Sequence, residues 1–141
     1  MLPPRVAEIS DFVIDDIETR YEFLEQLGEG ASSAVYLARR REASLSSADT
    51  NEVAIKVLDL VALDDDDIFA AVQTEIDVLR RVKHPAVVSI VEVVCDASSI
   101  AVVTEGLTGG DLFSRLSEEG AMTEDGARDV LAQLVLAVEH L

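Results

Sequence analysis

Gly28-Glu29-Gly30-Ala31-Ser32-Ser33-Ala34-Val35, read with Val53-Ala54-Ile55-Lys56-Val57-Leu58 further on, decides the fold of this chain. Tyr21 to Leu27 has strand composition, Gly28 to Ser33 supplies turn chemistry, and Ala34 to Ala38 resumes as a strand, so the pattern predicts a β-hairpin. Glycines lack a side chain that would hold backbone N–H groups away from phosphate oxygens, which makes Gly28 and Gly30 candidates for an anion-binding turn. A plain hairpin turn has the same composition. Val53 to Leu58 predicts a third, mostly buried strand, and it carries Lys56 among apolar residues. A lysine seldom stays buried without an anionic partner.

That partner is sought downstream. Asp64 to Asp67 precede Ile68, Val72, Ile76, Leu79 and Val82, which recur at the period of a helix with one buried face, and the acids complement the helix dipole at its start. Read plainly, the Asp run is a solvated helix start. His84-Pro85 is expected to close the helix. Glu75 lies beside Ile76, next to the apolar face, where it can reach back to Lys56. The alternative is that Lys56 snorkels to the sheet edge and Glu75 is solvated. Strands are predicted over Val87 to Val94 and Ile100 to Thr104, joined by a turn at Asp96-Ala97-Ser98-Ser99, which completes a five-stranded antiparallel sheet with one helix against it. Residues 1–20 show no sustained period and are expected to form a loosely held lead-in, and Arg41 to Glu52 an exposed loop. A short helix is expected over Asp111 to Ser117. Thr123 opens a longer one that places Ala127, Val130, Leu131, Leu134, Val138 and Leu141 on one face, in need of cover.

The chain has 141 residues and 28 Asp and Glu against 11 Lys and Arg, a net charge of −17. Such a surface is not built to neutralise phosphate backbones or anionic lipid, so nucleic acid and membrane are not expected as partners. The single cysteine, Cys95, permits no intramolecular disulfide, and the expected compartment is cytoplasmic, with the nucleus also open. No secretory leader or membrane-spanning run is read in the sequence.

From Tyr21 to Leu141 the order and spacing of these motifs resemble the eukaryotic protein kinases, whose glycine-rich loop, strand lysine and helix glutamate occur in this sequence. The resemblance implies an α+β fold, with an ATP-binding lobe over 21–104, a hinge over 105–110 and the start of a helical lobe over 111–141. It implies that Gly28, Glu29, Gly30, Ala31, Ser32 and Ser33 cover the ATP phosphates, that Lys56 contacts the α- and β-phosphates, and that Glu75 orients Lys56. Leu27, Val35 and Ala54 would wall the adenine pocket, where core packing is the plain alternative. Thr104 would stand at its back, the backbones of Glu105 and Leu107 would meet the adenine edge, and Asp111 would face the ribose. Glu105-Gly106-Leu107-Thr108-Gly109-Gly110-Asp111-Leu112-Phe113 is similar to serine/threonine kinases of the calcium/calmodulin-dependent group.

Two departures stand beside the likeness. Ser33 occupies the place of the third loop glycine, which suits the loop unless a positive φ is required there. No His-Arg-Asp, Asp-Phe-Gly or Ala-Pro-Glu occurs within the 141 residues, so no catalytic or metal-binding residue is assigned, and the Mg²⁺ expected with ATP belongs to the complete domain. His84 and His140 are read as structural. The expectation is the ATP-binding part of a protein serine/threonine kinase whose parent modifies a protein substrate. The chain by itself is expected to be inactive, and its oligomeric state is open. The alternatives are a non-catalytic, pseudokinase-like binding module and an unstable fragment.

Overall fold

The computed structural model describes residues 4–41 and 52–141. The loop expected over Arg41 to Glu52 lies, apart from its two ends, outside the described residues. An α+β architecture is observed. A 3-10 turn, Pro4–Glu8, leads to β1 (Val13–Ile14), α1 (Ile17–Arg20), β2 (Tyr21–Glu29), β3 (Ser33–Arg40) and β4 (Glu52–Asp59). A second 3-10 turn, Leu60–Asp64, is followed by α2 (Asp66–Arg81), β5 (Ile90–Cys95), β6 (Ser99–Glu105), α3 (Leu112–Glu119) and α4 (Glu124–His140).

The sheet has six strands in the order β1-β5-β6-β4-β3-β2, one more than expected. The additional strand comes from the lead-in, whose residues 4–20 carry a 3-10 turn, β1 and α1. Val13 and Ile14 pair in parallel with Val94 and Cys95, and Val6 and Ile9 are buried. Isolated hydrophobics without a period give no element signal, yet here each is placed by a distant partner. Full burial of side chains of this size is worth about 1.5–3 kcal/mol each and offsets part of the entropy lost in ordering the segment. The remaining pairings are antiparallel, as predicted.

Alternation along β4 divides the core between the two faces of the sheet. Leu58, Ile100, Val102, Val93 and Cys95 join Phe69, Val72 and Ile76 of α2 on one side, together with Val6 and Ile9. Val53, Ile55, Val94, Ala101 and Val103 join Ile17 and Tyr21 on the other. Burial on both faces explains why β5 and β6 read as nearly continuous apolar runs rather than as alternating ones.

The local signals mostly act where they stand. Asp65 caps α2 by accepting from the N–H groups of Asp67 and Ile68, with Asp66 and Asp67 in the first turn. The helix ends at Arg81, before His84-Pro85, because Val82 already takes an extended conformation. Strand β5 begins at Ile90, not Val87, since the Val87 N–H donates to the His84 carbonyl (3.0 Å) and closes a turn there. Between β5 and β6, Asp96 accepts from the N–H groups and hydroxyls of Ser98 and Ser99. Burial works against its charge, but those bonds outweigh it and hold the carboxyl below the usual carboxylate range. Thr123 caps α4 through the Gly126 N–H. Only Ala137 of that helix is buried, while Leu131, Leu134, Val138 and Leu141 are exposed. The predicted apolar stripe thus faces outward, and His140 instead lies against His84, with ring centroids 5.3 Å apart.

One polar cluster was not legible in the sequence. Glu92 of β5 accepts from Arg20 (2.7 Å), from Arg40 (3.2 Å) and from the Tyr21 hydroxyl, while Arg20 also reaches Asp15 (3.2 Å). Burial, then the bond to Glu92, pushes the Tyr21 phenol up to about 12. The Glu92 side chain is only 14% exposed, so replacing it leaves two guanidinium groups and a hydroxyl short of their acceptor. Glu92→Ala is expected to lower the unfolding free energy by about 3 kcal/mol, read from the urea midpoint. A shift within error would show that the cluster is solvated in solution.

Candidate functional site

Strand register assembles the predicted residues on one face. Val35 stands opposite Gly28 and Lys56, and Lys56 stands opposite Val102. Ala54, two residues before Lys56, stands opposite Leu37 and Thr104. Since alternate residues share a face, Val35, Ala54, Lys56 and Thr104 lie on the side of the sheet that α2 covers. Leu27 lies at an irregularity of the β2–β3 ladder, between Gln26 and Gly28, and is half exposed. A cleft of about 1030 Å³ lies elsewhere: Tyr36 and Val57, the sheet neighbours that point the other way, line it with Tyr21 and Phe23.

Lys56 meets Glu75, although it is only partly buried and not enclosed as its apolar neighbours in sequence suggested. Its Nζ lies 2.6 Å from Glu75 Oε2, with side-chain exposures of 31% and 42%. A pair this open to solvent contributes only about 0–1 kcal/mol to stability. The pair lies on the sheet face that also holds Val35 and Ala54.

The glycine loop answers the question raised by Ser33. The Gly30 N–H donates to the Ser33 carbonyl (2.7 Å), and Ser33 begins β3 without a positive φ. Serine is accommodated there without strain. Neither Gly28 nor Gly30 has a positive φ, a Cβ at Gly28 would meet nothing within 4 Å, and one at Gly30 would make only ordinary contact with Ser33. Nothing within the described residues requires glycine at these two positions.

The segment after β6 carries the other predicted residues. The Glu105 N–H donates to the Ser89 carbonyl (2.9 Å), and the Glu105 side chain accepts from the Ser89 N–H (2.7 Å). Leu107 is two-thirds exposed. Asp111 caps α3 by accepting from the Ser114 N–H (2.6 Å), the bond that also holds its carboxyl below the usual range. Sequence reasoning missed Gly106. Its N–H donates to the Glu52 carbonyl (3.2 Å), and a Cβ there would lie 2.7 Å from that oxygen. Its position between two expected hinge residues was the available signal. Among the described residues, no group of three or more His, Cys, Asp or Glu is placed to hold a metal ion. No helix among them is long and apolar enough to cross a membrane.

Comparison with known proteins gives the family. Residues 21–141 match the family model described as protein kinase domain. The chain belongs to the protein kinase family. Among its protein kinase relatives, calcium/calmodulin-dependent protein kinase type 1B of Homo sapiens is 38% identical over 127 residues, covering 90% of this chain and 35% of the relative. CBL-interacting protein kinase 12 of Oryza sativa subsp. japonica is 43% identical over 121 residues, 85% of this chain and 21% of the relative. CBL-interacting serine/threonine-protein kinase 19 of Arabidopsis thaliana is 38% identical over 119 residues, 84% of this chain and 23% of the relative. The kinase chain described here thus spans about a third, or less, of the length of these proteins.

Proposed function

We propose that residues 21–141 are the nucleotide-binding part of a serine/threonine protein kinase, the whole protein transferring the γ-phosphate of ATP to hydroxyl groups of a protein substrate in the cytoplasm. The observation that carries the reading is the pairing of Lys56 with Glu75 on the sheet face that also holds Val35 and Ala54. The two glycines that the fold itself does not require support it, because a bare backbone at Gly28 and Gly30 is of use to a ligand that must come close. In this reading the loop from Gly28 to Ser33, with Glu29, Ala31 and Ser32, covers the phosphates. Lys56 offers its charge to the α- and β-phosphates, held in place by Glu75.

Leu27, Val35 and Ala54 contact the base, with Thr104 behind it. The Glu105 N–H is already taken by Ser89, so Glu105 would offer its carbonyl to the adenine edge and Leu107 its backbone. Asp111 would approach the ribose through the carboxylate oxygen not used to cap α3. No role is assigned to these residues toward the magnesium that accompanies ATP in the family. The lobe, hinge and helical segments at 21–104, 105–110 and 111–141 belong to the same proposal.

Calorimetric titration of the chain with Mg·ATP tests it. Saturable binding that ADP displaces is expected, as is phosphate transfer to a serine- or threonine-containing peptide by a longer protein carrying this segment. A folded chain that takes up no nucleotide at millimolar concentration would exclude the reading.

A further inference from the structure

We infer that residues 6–14 form a strap that positions α2, and through it Glu75, against Lys56. The inference rests on the nucleotide-site reading for its functional meaning, but the strap itself lies outside the segment that matches the kinase family.

The strap touches α2 at several points along its length. Val6 and Ile9 are 1% and 3% exposed and share a core with Phe69, Val72 and Ile76, against which Phe12 also packs. Gln73 donates to the Glu8 carbonyl (3.4 Å) near the middle of the helix. Near its end, Arg80 donates to the Ser10 hydroxyl (3.1 Å) and to the Asp11 carbonyl (2.7 Å). Asp11 then turns the chain with a φ of 50°, a conformation that aspartate tolerates better than most residues. Beyond the turn, Val13 and Ile14 join the sheet beside Val94 and Cys95, and the Asp15 N–H donates to the Cys95 carbonyl (3.2 Å). One short segment therefore ties α2 to the edge of the sheet.

Gln73, Ile76 and Arg80 recur at the helical period and make up the stripe that the strap grips. Glu75 is one residue from Ile76 and reaches Lys56 from the neighbouring stripe. If α2 turned about its axis or lifted from the sheet, Glu75 would leave Lys56. The ion pair is too exposed to prevent this by its own strength. Phe69, Val72 and Ile76 pack directly on the sheet, and the buried contacts of Val6 and Ile9 add a second restraint on α2 that the pair itself does not supply.

Lys56 and Lys83 are the only lysines in the sequence, so one labelling experiment reads the pair directly. The native chain is acetylated with limiting acetic anhydride, without nucleotide, and the two sites are quantified by mass spectrometry. Ile9→Ser is expected to raise the Lys56 to Lys83 ratio about fivefold and to speed amide exchange over 66–81, with exchange in β3 and β4 unchanged. An unchanged ratio in a folded variant overturns the strap. If Ile9→Ser unfolds the whole chain, Arg80→Met decides, because it keeps the apolar contacts and removes the bonds to Ser10 and Asp11. A rise of about twofold supports the strap and no rise overturns it. ATP affinity is measured separately on the same proteins. A responding ratio in a chain that binds no ATP removes the nucleotide reading and leaves the strap, whereas tight ATP binding with an unmoved ratio does the reverse.

Discussion

Lys56→Met is expected to abolish measurable Mg·ATP binding while moving the melting temperature by only about 2 °C. The two effects separate because the Lys56–Glu75 pair is partly exposed and adds little to stability, whereas a phosphate held in a glycine loop depends on a charge at that spot. Lys83→Met serves as the control, since Lys83 is exposed beyond the end of α2 and should change neither quantity. Glu75→Gln should weaken binding by about tenfold, less than loss of the lysine, because the ammonium group survives but is no longer aimed. Isothermal titration and thermal melts on the same preparations give both readings. Equal loss of affinity in the Lys56 and Lys83 variants would mean that the lysine has been assigned the wrong role.

Gly106→Ala should lower stability by about 1–3 kcal/mol, a large effect for the addition of one methyl group. The added carbon would sit 2.7 Å from the Glu52 carbonyl oxygen, 2.8 Å from its carbon and 3.0 Å from the Val53 nitrogen. All three are backbone atoms of β4 or its start, so no side chain can swing aside. The segment after β6 must move away from β4, and the bond from the Gly106 N–H to Glu52 goes with it. Leu107 moves too, so nucleotide affinity should fall with stability. Gly109→Ala is the comparison, for a Cβ there meets nothing within 4 Å. Urea denaturation of the two variants checks the argument, and similar midpoints would refute it.

Much of the site could be read without coordinates because its signals are local or regularly spaced. The hairpin of β2 and β3, the lysine inside β4 and the period of α2 each occupy one short window. Lys56 among apolar neighbours announced that it needed an anion, and the helix following its strand offered Glu75. Caps behaved similarly: Asp65, Asp111 and Thr123 satisfy N–H groups two or three residues away.

What was missed depends on residues that are far apart in the chain. Glu92 meets Arg20 and Tyr21 across 72 and 71 positions, and nothing near Glu92 signals either partner. Val6, Ile9 and Val13 have no period of their own and acquire a place only because α2 and β5 present surfaces to them. The outward face of α4 and the contact of His140 with His84 likewise follow from how the helix docks, not from its hydrophobic pattern. The sequence alone determined five of the six strands, the helices α2, α3 and α4 and the kinase-like order of motifs, since these follow from steric preference and periodicity. Only the tertiary structure decided that Val6 and Ile9 pack with α2 and that Val13 and Ile14 pair with β5, that Gly106 is constrained by contact and not by conformation, and that Ser33 fits its loop. Each of these depends on which backbone lies within a few ångströms, or on the φ angle a residue adopts, and chain order does not specify either.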